Sequence, residues 1–228
     1  MRFKDFLNEW SKTSRGIKQH LIDLGYKFLA KGVDQSAYLE PKTGKVLKIF
    51  GTAENDDKRE FSGFSKDQMM FKTWSDYCTK HKNNEFLPKF DGWEAFDWED
   101  KKYLQIRMER LQRLPSELAD ALENTSELIG KYRSPPQAHE LIVKIVDNVH
   151  DLDTVFGYWY RQSQMEELEK LLVMLGKKKF EELLYTIADV AHTGRDKGYT
   201  FDLHGGNFMH RNDGIPVIVD PWVYDGSY

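Results

Sequence analysis

The chain has one cysteine, Cys78, among its 228 residues. A single thiol cannot form a disulfide within the chain, and it argues against a cysteine-based zinc site. Disulfide-stapled secreted domains are therefore excluded, and we expect a reducing compartment.

Long apolar runs are also missing from the sequence. No run approaches the roughly 20 residues that a membrane span needs, and the N-terminal stretch MRFKDFLNEWSK carries charges where a signal peptide has an apolar core. The net charge of -4 gives no general attraction to nucleic acid or to anionic membranes. We expect a cytoplasmic protein with neither of these partners.

Enough apolar residues are present for a sizeable core, since 40% of the chain is hydrophobic and 14% aromatic. The pattern of these residues changes along the chain. Its first half alternates like strands around one helix, its middle repeats like helices, and its end returns to short strands and glycine-rich turns. The predicted helices are 3–10, 14–24, 56–80, 118–130, 137–151, 153–176 and 177–191; the predicted strands include 26–29, 37–39, 46–50, 90–96 and 103–108.

Lys48 lies inside the apolar strand Val46–Phe50. A lysine that is buried or half-buried needs a partner for its charge. The alternative is an edge-strand lysine whose ammonium group reaches water.

The most informative stretch runs from Phe201 to Trp222 and holds an acid, two glycines, an amide and a second acid. Two short strands around the turn Asn212–Gly214 would present Asn207 and Asp220 from neighbouring positions. Carboxylate and amide oxygens suit Mg²⁺, and Asp202 would be available to accept a proton. Taken singly, each of these residues is more often a turn or cap residue. The ordered set with an upstream strand lysine is far more specific.

The spacing Asp-x-x-x-x-Asn, followed by an Asp thirteen residues later, resembles the catalytic loop and metal motif of protein kinases. The wording Asp-Leu-His-Gly-Gly-Asn at 202–207 is similar to aminoglycoside and choline kinases. The chain most resembles the early serine/threonine protein kinases of Teseptimavirus-type bacteriophages, through residues 28–38, 46–49 and 201–221.

This resemblance implies an α+β fold of the bilobal protein-kinase-like type, with a small β-rich N-lobe and a truncated helical C-lobe. It implies a helical extension over 1–25, an N-lobe over 26–108 and a C-lobe over 109–228. The implied activity is ATP-dependent transfer of phosphate to serine or threonine of host bacterial proteins, in the host cytoplasm if the chain is phage-encoded. ATP and Mg²⁺ are the implied cofactors.

The resemblance also implies a role for each site residue. Asp202 is the implied catalytic base, and Asn207 and Asp220 the implied Mg²⁺ ligands. Lys48 would contact the α- and β-phosphates, and Gly32 would cover them. His204 would face the transferred phosphate as a donor. The adenine site would comprise Met108 as gatekeeper and the hinge residues Glu109, Arg110 and Leu111.

The sequence departs from the kinase pattern in several places. Ala30 and Gln35 replace two phosphate-loop glycines, and the acid that pairs with Lys48 is either Asp67 or Glu60. Only eight residues follow Asp220, so we expect no activation segment. Two other functions therefore stay open: a kinase of small molecules, and a non-catalytic pseudokinase that binds a host protein.

Overall fold

The structure of the chain is a computed structural model that describes residues 16–31, 35–51, 65–98, 101–156 and 160–224. These residues fall into two compact units. Unit 1 takes its residues from 1–83 and 88–110, and unit 2 takes its residues from 84–87 and 111–228. No helix within the described ranges is long and apolar enough to cross a membrane.

Unit 1 is built on one antiparallel sheet with the strand order β1-β2-β3-β5-β4. Its strands are β1 (Lys27–Lys31), β2 (Gln35–Leu39), β3 (Val46–Phe50), β4 (Phe90–Trp98) and β5 (Lys101–Met108). Helix α1 (Ile17–Asp23) adds Ile17 and Leu21 to a core formed with Leu47, Ile49, Tyr38 and the aromatic side chains Phe96, Trp98 and Tyr103. Because side chains alternate along a strand, Lys48 faces away from this core.

Helix α2 (Lys66–Lys80) packs in unit 1 on the side of β3 that Lys48 faces. The helix begins with a capping box, in which Ser65 and Gln68 exchange side-chain and backbone hydrogen bonds of 2.8 and 3.1 Å. The Gln68 side-chain amide also donates, through Nε2, to Phe50 O and Lys102 O, both at 3.3 Å. The first turn of α2 is thereby fixed to β3 and β5.

Unit 2 is mainly helical. Its helices are α3 (Ser116–Gly130), α4 (Pro135–Asp147), α5 (Leu152–Phe156), α6 (Gln162–Leu175) and α7 (Lys177–Asp196), with a 3₁₀ turn at Val149–Asp151 before α5. Helix α7 packs against α3, α4 and α6, and its side chains Leu183, Leu184 and Ile187 are fully buried.

Short strands carry the remainder of unit 2. They are β6 (Gln112–Arg113), β7 (Thr200–Phe201), β8 (Phe208–His210), β9 (Pro216–Ile218) and β10 (Trp222–Val223). One sheet has the order β6-β8-β9, and β7 pairs with β10 in a separate antiparallel ribbon. The segment 84–87 joins the β6-β8-β9 sheet through the Ile218 amide, which donates to Phe86 O at 2.9 Å.

The predicted α+β class, with a β-sheet N-terminal part and a helical C-terminal part, is confirmed. The single helix predicted over 153–176 is wrong, because Arg161 is extended and Gln164 caps a new helix there through a 2.8 Å bond to the Arg161 amide. Helix α7 also continues past the predicted end at residue 191. The helix predicted over 3–10 lies outside the described residues. The division at 25 and 108 stays a prediction.

Candidate active site

The β7–β10 ribbon brings two of the predicted site acids to the same end of a strand pair. Phe201 pairs with Trp222, and the next rung is the Asp202 amide donating to Pro221 O at 2.9 Å. Asp202 therefore leaves β7 where Asp220 enters β10. Residues that are 18 positions apart in the chain become neighbours through this pairing.

Asn207 is bonded through its side chain to Asp202 and through its backbone to Val219, the residue before Asp220. Its Nδ2 donates to Asp202 O at 2.7 Å, and its carbonyl oxygen accepts from the Val219 amide at 2.8 Å. Since Nδ2 is engaged, the orientation of the amide is determined, and Oδ1 is the atom left to face a cation. Asn207 is buried, with 9% of its surface exposed, so this arrangement is held firmly.

Asp220 has an unusual backbone conformation. Its φ is +61°, and it is the only non-glycine with positive φ among the residues that the structure describes. An L-residue in this left-handed region pays a steric cost, and such strain concentrates at functional sites. The conformation turns the chain sharply between buried Val219 and buried Pro221.

The two glycines of the loop are explained by close approaches. The Gly205 amide donates to Glu123 Oε2 of α3 at 2.5 Å, and a Cβ at Gly205 would lie 3.4 Å from the Ala119 Cβ. A Cβ at Gly206 would lie 2.8 Å from Cε1 of His204. A side chain at Gly205 would be tight against α3, and one at Gly206 would require the His204 ring to move.

His204 is exposed, and its ring is oriented by the loop itself. The Gly206 amide donates to His204 Nδ1 at 3.1 Å. In the neutral ring, an accepting Nδ1 places the proton on Nε2. This tautomer gives His204 a donor directed away from the loop, as its predicted role requires.

Trp222 anchors the ribbon on helix α7. Its Nε1 donates to Val190 O at 2.9 Å, and its ring stacks on Tyr199 with centroids 5.6 Å apart. Gly194 makes room for the indole, because a Cβ there would lie 2.5 Å from Trp222 Cδ1. The residue that follows Asp220 and Pro221 is thus locked in place.

The predicted site residues of unit 1 lie on β3 and at the end of β5. Lys48 pairs with Ala37 and Ile106 on its two neighbouring strands, and its Nζ lies 4.7 Å from the ring centroid of Phe71 in α2. This is a cation–π contact. The predicted partner Asp67 lies in the first turn of α2. The predicted residues Gly32 and Glu60 fall outside the described residues.

The end of β5 carries the predicted gatekeeper and hinge. Met108 is buried, and the Glu109 amide donates to Lys89 O at 3.0 Å, while Glu109 Oε1 accepts from the Lys89 amide at 2.8 Å. The Glu109 amide is therefore used by the protein, in a bond that joins the end of β5 to Lys89. Leu111 belongs to unit 2, where it is buried.

The residues predicted to hold Mg²⁺ carry oxygen donors of the kind that this ion accepts. In the described part of the chain, no group of three or more His, Cys, Asp and Glu side chains could hold a metal. Mg²⁺ needs only one or two protein oxygens when substrate phosphates complete its shell. Asn207 Oδ1 and the Asp220 carboxylate are hard oxygen donors of this kind.

Two residues that matter at this site were missed by sequence reasoning. Glu123 accepts a hydrogen bond from the Gly205 amide, 82 positions later in the chain, and Gly194 accommodates Trp222 from another helix. The sequence contains no local signal for the first. For the second, a glycine inside a strongly periodic helix was the available sign.

Comparisons with known proteins give little for this chain. No family model matches it, and no curated protein matches it. Among solved structures, it is similar to the streptomycin–ATP–APH(2")-IIa ternary complex, with 14% identity over 93% of this chain and 73% of that chain and a TM-score of 0.31. A likeness this loose carries no argument for the function of this chain.

Proposed function

We propose that the protein is an ATP-dependent phosphotransferase whose chemistry is carried by Asp202, Asn207 and Asp220. The observation that supports it best is the joined set in unit 2. The Asn207 side-chain amide donates to the Asp202 carbonyl, and the Asn207 backbone carbonyl accepts from the Val219 amide. Asp220 follows Val219 in a strained conformation. A strained backbone at an acidic residue favours a functional reason for its conformation.

In this proposal Asp202 orients the attacking hydroxyl and accepts its proton, because phosphoryl transfer depends mainly on positioning and on charge stabilisation. Asn207 and Asp220 would hold Mg²⁺, which would neutralise phosphate charge. His204 donates through Nε2 to the transferred group. Lys48 is the cation assigned to the α- and β-phosphates.

The acceptor we propose is a serine or threonine hydroxyl of a host bacterial protein, in the host cytoplasm. The support is the similarity of residues 28–38, 46–49 and 201–221 to phage serine/threonine kinases. The test incubates purified protein with γ-labelled ATP, Mg²⁺ and bacterial lysate. Label should appear on protein with the wild type and be absent with Asp202→Asn.

Asp213→Asn is the matched control for that experiment. Asp213 is an exposed acid in the neighbouring turn, where its Oδ1 accepts from the Ile215 amide at 3.1 Å. An asparagine there keeps an acceptor oxygen and should keep the activity. If wild type labels neither a protein nor itself, the serine/threonine kinase proposal is rejected.

A small-molecule acceptor is the second candidate. Helix α3 carries Glu117, Asp120 and Glu123 at helical spacing, and Glu123 contacts the loop that holds Asp202 and Asn207. These acids would favour a cationic acceptor. Label on small metabolites, with protein left unlabelled, would support this candidate.

A pseudokinase that binds a host protein is the third candidate, motivated by Ala30 and Gln35 in the phosphate loop. Thermal shift separates it from the enzymes. Mg-ATP at 100 times its dissociation constant adds about 2.7 kcal/mol to the free energy of unfolding. No shift at millimolar Mg-ATP would favour the pseudokinase.

A further inference from the structure

Unit 2 has an open groove that the proposed chemistry does not use. Its volume is about 480 Å³, and its walls come from the end of α3, the last turns of α7 and strand β7. This volume lies in the range of about 300–1,000 Å³ that is usual for ligand sites.

The lining of the groove is cationic although the chain as a whole is acidic. Lys131, Arg133 and Arg195 line it, against one carboxylate, Glu127, whereas the net charge of the chain is -4. Part of this charge serves the fold, since Arg195 Nη2 donates to Gly130 O at the end of α3, at 2.9 Å. A guanidinium has five N–H donors, so this bond orients Arg195 in the groove wall and leaves other donors for a ligand.

The groove shares its wall with the proposed catalytic loop. Phe201 lines it and directly precedes Asp202, and Tyr199 lines it while stacking on Trp222 at 5.6 Å. A Cβ on Gly130 would lie 3.1 Å from the Phe201 ring, so the α3 end and β7 are in close contact. A ligand in the groove would therefore bind against the segments that carry the acids.

We propose that this groove docks an acidic segment of the protein substrate, an inference that rests on the proposed protein-kinase function. The three cations are exposed, and an exposed ion pair contributes little by itself. Retention therefore requires several carboxylates presented together. A run of Asp and Glu spaced at about 3.3 Å per residue along an extended segment supplies them, whereas a single small anion does not.

The first test measures binding without nucleotide, so that it does not depend on catalysis. A fluorescein-labelled peptide of six alternating Asp and Glu residues is titrated with wild type at about 0.15 M salt, where the Debye length is about 8 Å, and followed by anisotropy. We expect saturable binding, which weakens about tenfold or more in Lys131→Glu/Arg133→Glu because two attractions become repulsions. A lysine peptide of the same length should not bind.

Lys178→Glu is the matched control, because Lys178 is a 90% exposed lysine of the same unit outside the groove. Its affinity for the acidic peptide should stay within about twofold of wild type, since screening limits the reach of an exposed charge. An equal loss in Lys178→Glu and in the single variant Arg133→Glu would mean that only general charge is sensed, and this would overturn the proposal. Citrate binding as tightly as the peptide would also overturn it, in favour of a compact-anion site.

The second test separates this inference from the proposed function. A serine peptide is phosphorylated with and without an acidic segment attached, and docking predicts a lower KM with an unchanged kcat for the attached form. Lys131→Glu/Arg133→Glu should remove that difference and leave the plain peptide unaffected. Phosphate transfer with a KM that does not depend on the acidic segment would reject the docking proposal but not the kinase proposal. Binding of the acidic peptide without any phosphate transfer would reject the kinase proposal but not the binding of acidic segments in the groove.

Discussion

The strain at Asp220 makes a quantitative prediction about stability. An L-residue in the left-handed region costs about 1–2 kcal/mol, whereas glycine adopts it freely. Asp220→Ala and Asp220→Gly both remove the carboxylate, so their difference isolates the backbone at φ +61°. We expect Asp220→Gly to be more stable than Asp220→Ala by about 1 kcal/mol.

The same pair of substitutions at Asp202 is the control, because its φ is not positive. There alanine should be more stable than glycine by about 0.4–1 kcal/mol, since glycine has the more flexible unfolded chain. For a chain of this size 1 kcal/mol corresponds to about 2–4 °C in Tm. The four variants are compared by thermal and urea denaturation monitored by circular dichroism. If alanine is as stable as glycine at position 220, the strain argument is refuted.

Three further predictions concern the packing around the site and the core of unit 1. Glu123→Gln should lower kcat severalfold without changing the KM for ATP, and Glu123→Ala should lower kcat further. The reason is that a hydrogen bond from the Gly205 amide to a charged acceptor stabilises by about 1 kcal/mol more than one to a neutral acceptor. Equal kcat in wild type and both variants would contradict this role. Gly194→Ala should lower the free energy of unfolding by about 1–3 kcal/mol, although alanine has the better helix propensity, because the new Cβ meets Trp222. Adding Trp222→Leu should relieve much of this penalty. A stabilised Gly194→Ala would show that the indole moves freely. Burial lowers the pKa of His20, which stacks on Trp98, from 6.5 to about 4. The unfolded chain therefore binds this proton more tightly, and stability is lost as pH falls from 6.5 to 4. Urea titrations at pH 7.5 and 5.0 should find a smaller loss in His20→Phe than in wild type, and an equal loss would contradict the prediction.

The sequence predicted the elements with strong local signals. The apolar alternation of Val46–Phe50 placed Lys48 on a strand, and the polar residues between Phe201 and Trp222 predicted two strands around a turn. The spacing of Asp202, Asn207 and Asp220 was sufficient to expect that Asn207 and Asp220 would be neighbours. The two strand predictions are confirmed, because their signals lie within a few residues of each other, whereas the joint role of Asn207 and Asp220 stays a prediction.

Other features depend on tertiary contacts and could not be read locally. The positive φ of Asp220 lies just before β10, which pairs with β7, and no local sequence signal predicts it. The contact of Glu123 with Gly205 joins two segments that are far apart in the chain. The interruption before Gln162 arises from a cap by the Gln164 side chain, whereas the apolar periodicity continues across it.

The most direct test of the phosphotransferase account is a crystal structure of the protein with Mg²⁺ and a non-hydrolysable ATP analogue. The account predicts a metal ion bonded to Asn207 Oδ1 and to the Asp220 carboxylate, with Asp202 facing the terminal phosphate. A nucleotide bound elsewhere, or a metal ion that touches neither Asn207 nor Asp220, would contradict it.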